Sequence, residues 1–163
     1  MHDSLIIVFL GGIFGAVLMD ITETVLARHG ISSGVTVALV GRWTLALARG
    51  TLVHRDIRLS PPRRREVIAG WLFHLLVGGG AVALLLPIAG QLISTTELPG
   101  GVLAYLSFGL ATSVLPWFIL LPSFGWGWFG RHGPVGSNAL LASPLSHLPY
   151  GLGIWLTVTL FVD

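Results

Sequence analysis

Cysteine and lysine are both absent from the 163 residues, and charged side chains make up only 10% of them. Without cysteine the chain can form no disulfide, no thiolate zinc site and no cysteine-held iron–sulfur cluster, and it carries no signal about redox compartment. Soluble domains have about 25% charged residues. The small charged fraction, 53% hydrophobic residues and a mean hydropathy of +0.85 describe a chain whose solvent is lipid. The length is that of one domain. With no lysine, all nine basic residues are arginine. The sequence pI of 9.9 is better explained by where those arginines sit than by a nucleic-acid partner, and none is expected.

A helix needs roughly 20 mostly apolar residues to cross a hydrocarbon core of about 30 Å. Stretches 4–27, 66–86, 101–121 and 144–162 meet this requirement. They predict an all-α polytopic membrane protein, a single transmembrane domain of four helices over residues 1–163. His29-Gly30 is placed to cap the first helix, Pro87 follows the second and Pro99-Gly100 precedes the third. Ser143-Pro144 offers a capping hydroxyl and an N1 proline before the fourth. The first stretch lacks the basic start of a secretory signal and continues without a cleavage-like break, so it reads as a retained helix.

The connections differ in charge. Residues 28–65 carry eight of the nine arginines and residues 122–143 carry Arg131. With four crossings these two loops share one side, and the opposite side has no basic residue. The positive-inside rule then puts the arginine-rich loops in the cytoplasm of a bacterial inner membrane and both termini outside. Within the first loop, residues 35–48 have the apolar density of a helix but are too short to cross, which predicts an interfacial or re-entrant segment. Arg42 and Arg49 fall seven apart on it. Two readings stand: arginines snorkelling to lipid headgroups, or Arg42 paired with an acidic group of the bundle.

Polar side chains inside a membrane are costly and tend to face the protein interior. On the first helix Gly12, Ala16, Asp20 and Glu23 follow helical spacing, beside a Gly11-x-x-x-Gly15 pair that admits a close neighbour. On the second, Glu66, Gly70, His74, Gly78 and Ala81 form a comparable stripe. His147 begins "HLPYGLG", which shares H-L-x-x-G-x-G with "HLLVGGG" at 74–80. The match points to a duplicated helical hairpin about an axis along the membrane normal, with His74 facing His147. The loop "PSFGWGWFGRHGPVGSN" has the glycine and tryptophan content of an interfacial anchor with an aromatic belt, or of a lid over the cytoplasmic mouth. It is not a phosphate loop.

These residues define a candidate site. His74, His147, Asp20, Glu66 and Glu23 are the ligand- or metal-binding set, with Arg42, His54 and Asn138 in a supporting polar pocket. Imidazoles with carboxylates suit a divalent transition metal, Zn, Fe or Mn. Haem held axially by the two histidines is a less favoured variant. A metal ion or small polar ligand in a cytoplasm-facing intramembrane pocket is the leading reading, with the reaction unknown. The alternatives are a small-solute or proton-coupled transporter acting as an oligomer, or a structural subunit of a membrane complex. Besides the lipid bilayer, the glycine faces would serve a homodimer or a larger complex.

"VGRW", "RG" with the following histidine, "PP" and glutamate before "GWLFH", then "PSFGWG", "SN" and "HLPYGLG" together resemble a bacterial family of small inner-membrane proteins catalogued as domain of unknown function 2938. The resemblance runs through nearly the whole chain. It implies a four-helix membrane protein and marks Gly41, Arg42, Trp43, His54, Glu66, Trp71, His74, Asn138 and His147 as pattern positions, without implying an activity.

Overall fold

The computed structural model describes residues 2–92 and 101–162. Pro99-Gly100 lies outside the described residues. Among those described, the chain is all-α. The main helices are α1 (His2–Arg28), α2 (Val37–Leu47), α3 (Glu66–Ala89), α4 (Val102–Ser123) and α5 (Ala139–Phe161), with 3₁₀ turns at Ile57–Leu59 and Trp128–Gly130. Three of them, at Ser4–Arg28, Glu66–Ala89 and Val102–Ser123, are long and apolar enough to cross a membrane, and α2 is a shorter apolar helix.

Two ends follow from local chemistry, the first as the sequence predicts. Gly30 takes a positive φ of 81°, and the amides of Gly30 and Ile31 return to the carbonyls of Ala27 and Leu26. This is a Schellman stop, for which glycine avoids the left-handed Cβ penalty. α2 begins where Thr36 Oγ1 accepts from the Leu39 amide at 3.3 Å, an ordinary N-cap. The predicted start of the last helix is wrong. α5 begins at Ala139, capped by Asn138, whose side chain accepts from Leu141 at 3.1 Å. Pro144 and Pro149 lie inside the helix, and Ser143 is not a cap.

α1 is the spine. Its two small-residue stripes face different partners. A Cβ built on Gly12 would overlap the Gly79 carbonyl of α3, and one on Gly79 would meet the Ala16 methyl at 3.0 Å. A Cβ on Gly15 would overlap the Tyr150 carbonyl of α5, and one on Gly11 would lie 3.3 Å from the backbone of Ile154. Small residues let backbones touch, which is how helices associate where no hydrophobic effect drives them together. α4 then packs on the far side of α5, with Gly109 against His147 and Gly151 against Tyr105. The lateral order is α3, α1, α5, α4, and α3 and α4 on the two flanks share no packed interface among the described residues.

That order does not fit the predicted hairpin duplication. An axis relating α1–α3 to α4–α5 would make α3 meet α4 as α1 meets α5. Among the described residues the α1–α5 interface is the most extensive, and its counterpart does not form.

α3 is α-helical from Glu66 to Leu72 and then turns π-helical through Phe73–Ala81. α4 does the same at Pro116–Leu120. Gly78, Gly79 and Gly80 are poor helix formers, and Pro116 lacks the amide of the α ladder. The i→i+5 turn of a π segment holds an extra residue and is often found at functional sites. It also moves the buried face. Beyond His74 the buried positions are Gly79, Gly80, Ala83 and Leu86, while Ala81 of the predicted stripe is exposed.

A second core lies under the loops. Val40, Trp43, Ile57, Leu121, Phe124, Trp126 and Ala139 pack together. The first loop joins the end of α4 through the His54 amide to the Ser123 carbonyl at 2.8 Å and the Ile57 amide to Phe124 at 2.9 Å. Trp126, predicted for an aromatic belt, is fully buried here, while Trp128 is exposed.

Candidate functional site

The predicted site residues divide into separate groups. On α1, one turn beyond Ala16, Asp20 reaches α3, where its Oδ1 lies 3.0 Å from His74 Nε2. The separation is that of an ion pair, but the ring N–H is not aligned on the oxygen as a hydrogen bond requires. One turn further, Glu23 turns to the loop and accepts from the Ser33 hydroxyl and, at 3.3 Å, from the Ser33 amide.

Arg42 and Glu66 form a different unit. The guanidinium meets the carboxylate through two bonds, Nε to Oε2 at 2.9 Å and Nη2 to Oε1 at 3.0 Å. Nη1 donates to the carbonyls of Ser60 at 2.8 Å and Ile57 at 3.3 Å. The Arg63 amide also donates to Glu66. Of the two readings of Arg42, pairing within the protein is the one found. The hydrogen bonds that Arg42 donates to Glu66 raise its pKa above the ordinary value. Arg49 falls past the end of α2 and is exposed.

His54 is held by its backbone and its buried Nδ1 has no hydrogen-bond partner. Asn138 is exposed and serves as the α5 cap. Among the described residues no three His, Asp or Glu side chains come together to share an ion. The predicted five-member ligand set is therefore spread over three pairings and His147.

His74 and His147 do meet at one place. Both line a cavity of about 360 Å³, together with Glu23, Ser33, Tyr150, Ser146 and Thr112. Both π segments contribute, Phe73, Val77 and Gly78 from α3 and Pro116, Ile119 and Leu120 from α4. Arg42, His54, Glu66 and Asn138 are not in the lining. His147 Nδ1 lies 2.7 Å from the Ser143 carbonyl. A carbonyl can only accept, so Nδ1 carries the proton and the neutral ring keeps Nε2 as an acceptor. Tyr150 donates from α5 to the Gly79 carbonyl in the π segment of α3 at 2.7 Å. Tyr150 carried no signal in the sequence, since an apolar helix offers many positions for a buried tyrosine and periodicity does not say which carbonyl it reaches.

Asp56, near His54 in the first loop, lies outside the predicted site set. It caps the Ile57–Leu59 turn, pairs with Arg58 at 2.6 Å and accepts from Trp126 Nε1 at 3.2 Å. The Arg58 guanidinium, its amide and Trp126 lower its pKa to about 2 against burial, which raises it. A lowered folded-state pKa adds stability above the unfolded value of about 3.9. That contribution is expected to disappear between pH 4 and pH 2. Near-ultraviolet circular dichroism should show the Trp126 environment loosening in that window. Asp56→Asn should already show it at pH 7 and should lose the added pH dependence.

Several long apolar helices around a histidine-lined interior cavity define the class: an α-helical protein built for a membrane. The chain belongs to the family described as "Protein of unknown function (DUF2938)", whose model matches residues 8–161. No curated protein and no solved structure matches it significantly.

Proposed function

We propose that the chain is a four-crossing protein of the bacterial inner membrane that binds a small ligand with a hydrogen-bonding group between His74 and His147. α5 would be the fourth crossing. At 23 residues it is about 34 Å long at 1.5 Å per residue, and it is wedged between two helices long and apolar enough to cross, α1 and α4. Its polar residues, Ser143, Ser146, His147 and Tyr150, line the cavity, so their cost falls inside the protein. The arginines favour an orientation with the 28–65 and 122–143 loops in the cytoplasm.

The observation that carries the reading is that two histidines from non-adjacent helices line one cavity. Cavities of this kind, largely apolar with a few polar groups, are the usual form of small-molecule sites. The scattering of the carboxylates favours an organic ligand over a metal ion. Asp20 is beside His74, Glu66 is held by Arg42 and Glu23 by Ser33. Native mass spectrometry of the protein released from its own membranes tests this. A bound small molecule is expected on the wild-type chain and not on His74→Phe or His147→Phe. Equal occupancy of all three, or none on any, would overturn the reading.

A further inference from the structure

The cavity is not closed on all sides. Among its lining residues, Val77 of α3 is 44% exposed and Ile119 of α4 is 52% exposed. The remaining lining positions are buried or half-buried. Among the described residues these two sit on helices that share no packed interface, and both helices are long and apolar enough to cross a membrane. An opening rimmed by valine and isoleucine between two such helices faces lipid.

We infer that the gap between α3 and α4 is a lateral entrance through which a single-chain amphiphile with a hydroxyl head passes from the bilayer to the histidines. The inference rests on the ligand-binding reading above and adds the route and the chemical class. At about 360 Å³ the cavity is near the small end of ligand sites, roughly 300–1,000 Å³. It suits one alkyl or prenyl chain and is too small for a two-chain phospholipid. Val77, Val82, Leu115 and Leu120 supply the apolar wall for that chain.

The head follows from the hydrogen bonds already made. The hydroxyls of Ser33, Thr112, Ser146 and Tyr150 donate to Glu23, Gly109, Ser143 and Gly79, respectively. Their protons are committed within the protein. His147 keeps an acceptor at Nε2 once Nδ1 donates to Ser143. A head that donates a hydrogen bond is therefore complementary to His147 Nε2, and one that only accepts leaves that acceptor without a partner. Glu23 lines the same cavity, and a carboxylate head beside it would be repelled. An ammonium head would give up its hydration in a mostly apolar space where Asp20 already faces His74. A hydroxyl meets neither cost.

The test uses a long-chain alcohol carrying a photoactivated diazirine, with the full chain in vesicles of phosphatidylethanolamine and phosphatidylglycerol. Mass spectrometry should place adducts on residues 73–82 and 112–121. Excess unlabelled octadecanol should compete, whereas its methyl ether and stearate should not. His147→Phe should weaken saturable labelling by about tenfold, the loss of one hydrogen bond, and His147→Gln, which keeps an acceptor, should weaken it less. The chain has no native cysteine, so Val77→Cys with Ile119→Cys can be bridged by a bismaleimide. The bridge should abolish labelling relative to the unbridged double variant.

Labelling that survives the bridge would overturn the lateral route while leaving ligand binding intact. Equal competition by the ether or by stearate would overturn the hydroxyl head. No saturable adduct, together with an empty cavity in native mass spectrometry, would overturn both readings.

Discussion

Arg42→Ala is expected to destabilise the protein by about 3 kcal/mol, the lower end for breaking a buried ion pair. The lower figure applies because the pair is close to the edge of the molecule, with the Glu66 side chain 12% exposed. The loss is larger than one salt bridge because of what Arg42 holds. Its fork satisfies Glu66, and its third nitrogen holds the carbonyls of Ile57 and Ser60. Without it, a carboxylate and two carbonyls lose a donor. Arg42→Lys should recover only part of the stability, since an ammonium cannot reproduce two parallel bonds and reach both carbonyls. Thermal unfolding in detergent, followed by circular dichroism, measures both variants. A loss under about 1 kcal/mol for Arg42→Ala, the range of exposed pairs, would show that the clamp is solvated.

A comparable effect is expected from Gly41→Ala, although it removes no interaction. A Cβ on Gly41 would overlap the Glu66 carbonyl, and one on Gly70 would overlap the Val37 carbonyl. The backbones of α2 and α3 are therefore in direct contact at two points. A single methyl must push α2 away, which draws Arg42 off Glu66 in the same movement. Overpacking of this kind costs about 1–3 kcal/mol, occasionally more, and lost pairing adds to it. The two effects share a cause, so they should not sum. Combined with Glu66→Gln, the double variant is expected to lose clearly less stability than the two single losses added together. Simple additivity would mean that the helices separate without disturbing the pair.

How much of this was legible depends on which helix is considered. In α1 a regular α-helical period holds throughout, so the stripe Gly12, Ala16, Asp20 was read correctly, and so was the neighbouring Gly11–Gly15 face. In α3 the same reasoning holds as far as Gly78, which lines the cavity with His74, and fails at Ala81, because the π segment holds an extra residue in its turn and spacing alone does not announce one. Arg42 and Glu66 are 24 positions apart. Their residue types allowed a pair, but only the close approach permitted by Gly41 and Gly70 forms it. Trp126 was read by its type, as an interfacial aromatic. Its burial depends on Ile57 and Phe124, contributed by two different loops. The start of α5 was misplaced because Ser143-Pro144 has the chemistry of a helix beginning, and nothing nearby showed that Asn138 had already capped it. Of the site, the two histidines and Glu23 reach the cavity. Arg42 and Glu66 form an ion pair and Asn138 caps a helix, roles that depend on partners the sequence does not display.

The second core also sets an order of assembly. Val40, Trp43 and Ile57 emerge from synthesis well before Leu121, Phe124 and Trp126, against which they pack. The amides of His54 and Ile57 wait for carbonyls about 70 residues downstream. Until α4 is in place, the first loop has no lid for its aromatic face and no partner for its extended backbone. A chain halted after α3 would thus present exposed tryptophan and unpaired backbone beside a run of arginines. Completion of the second half of the molecule is what closes the first.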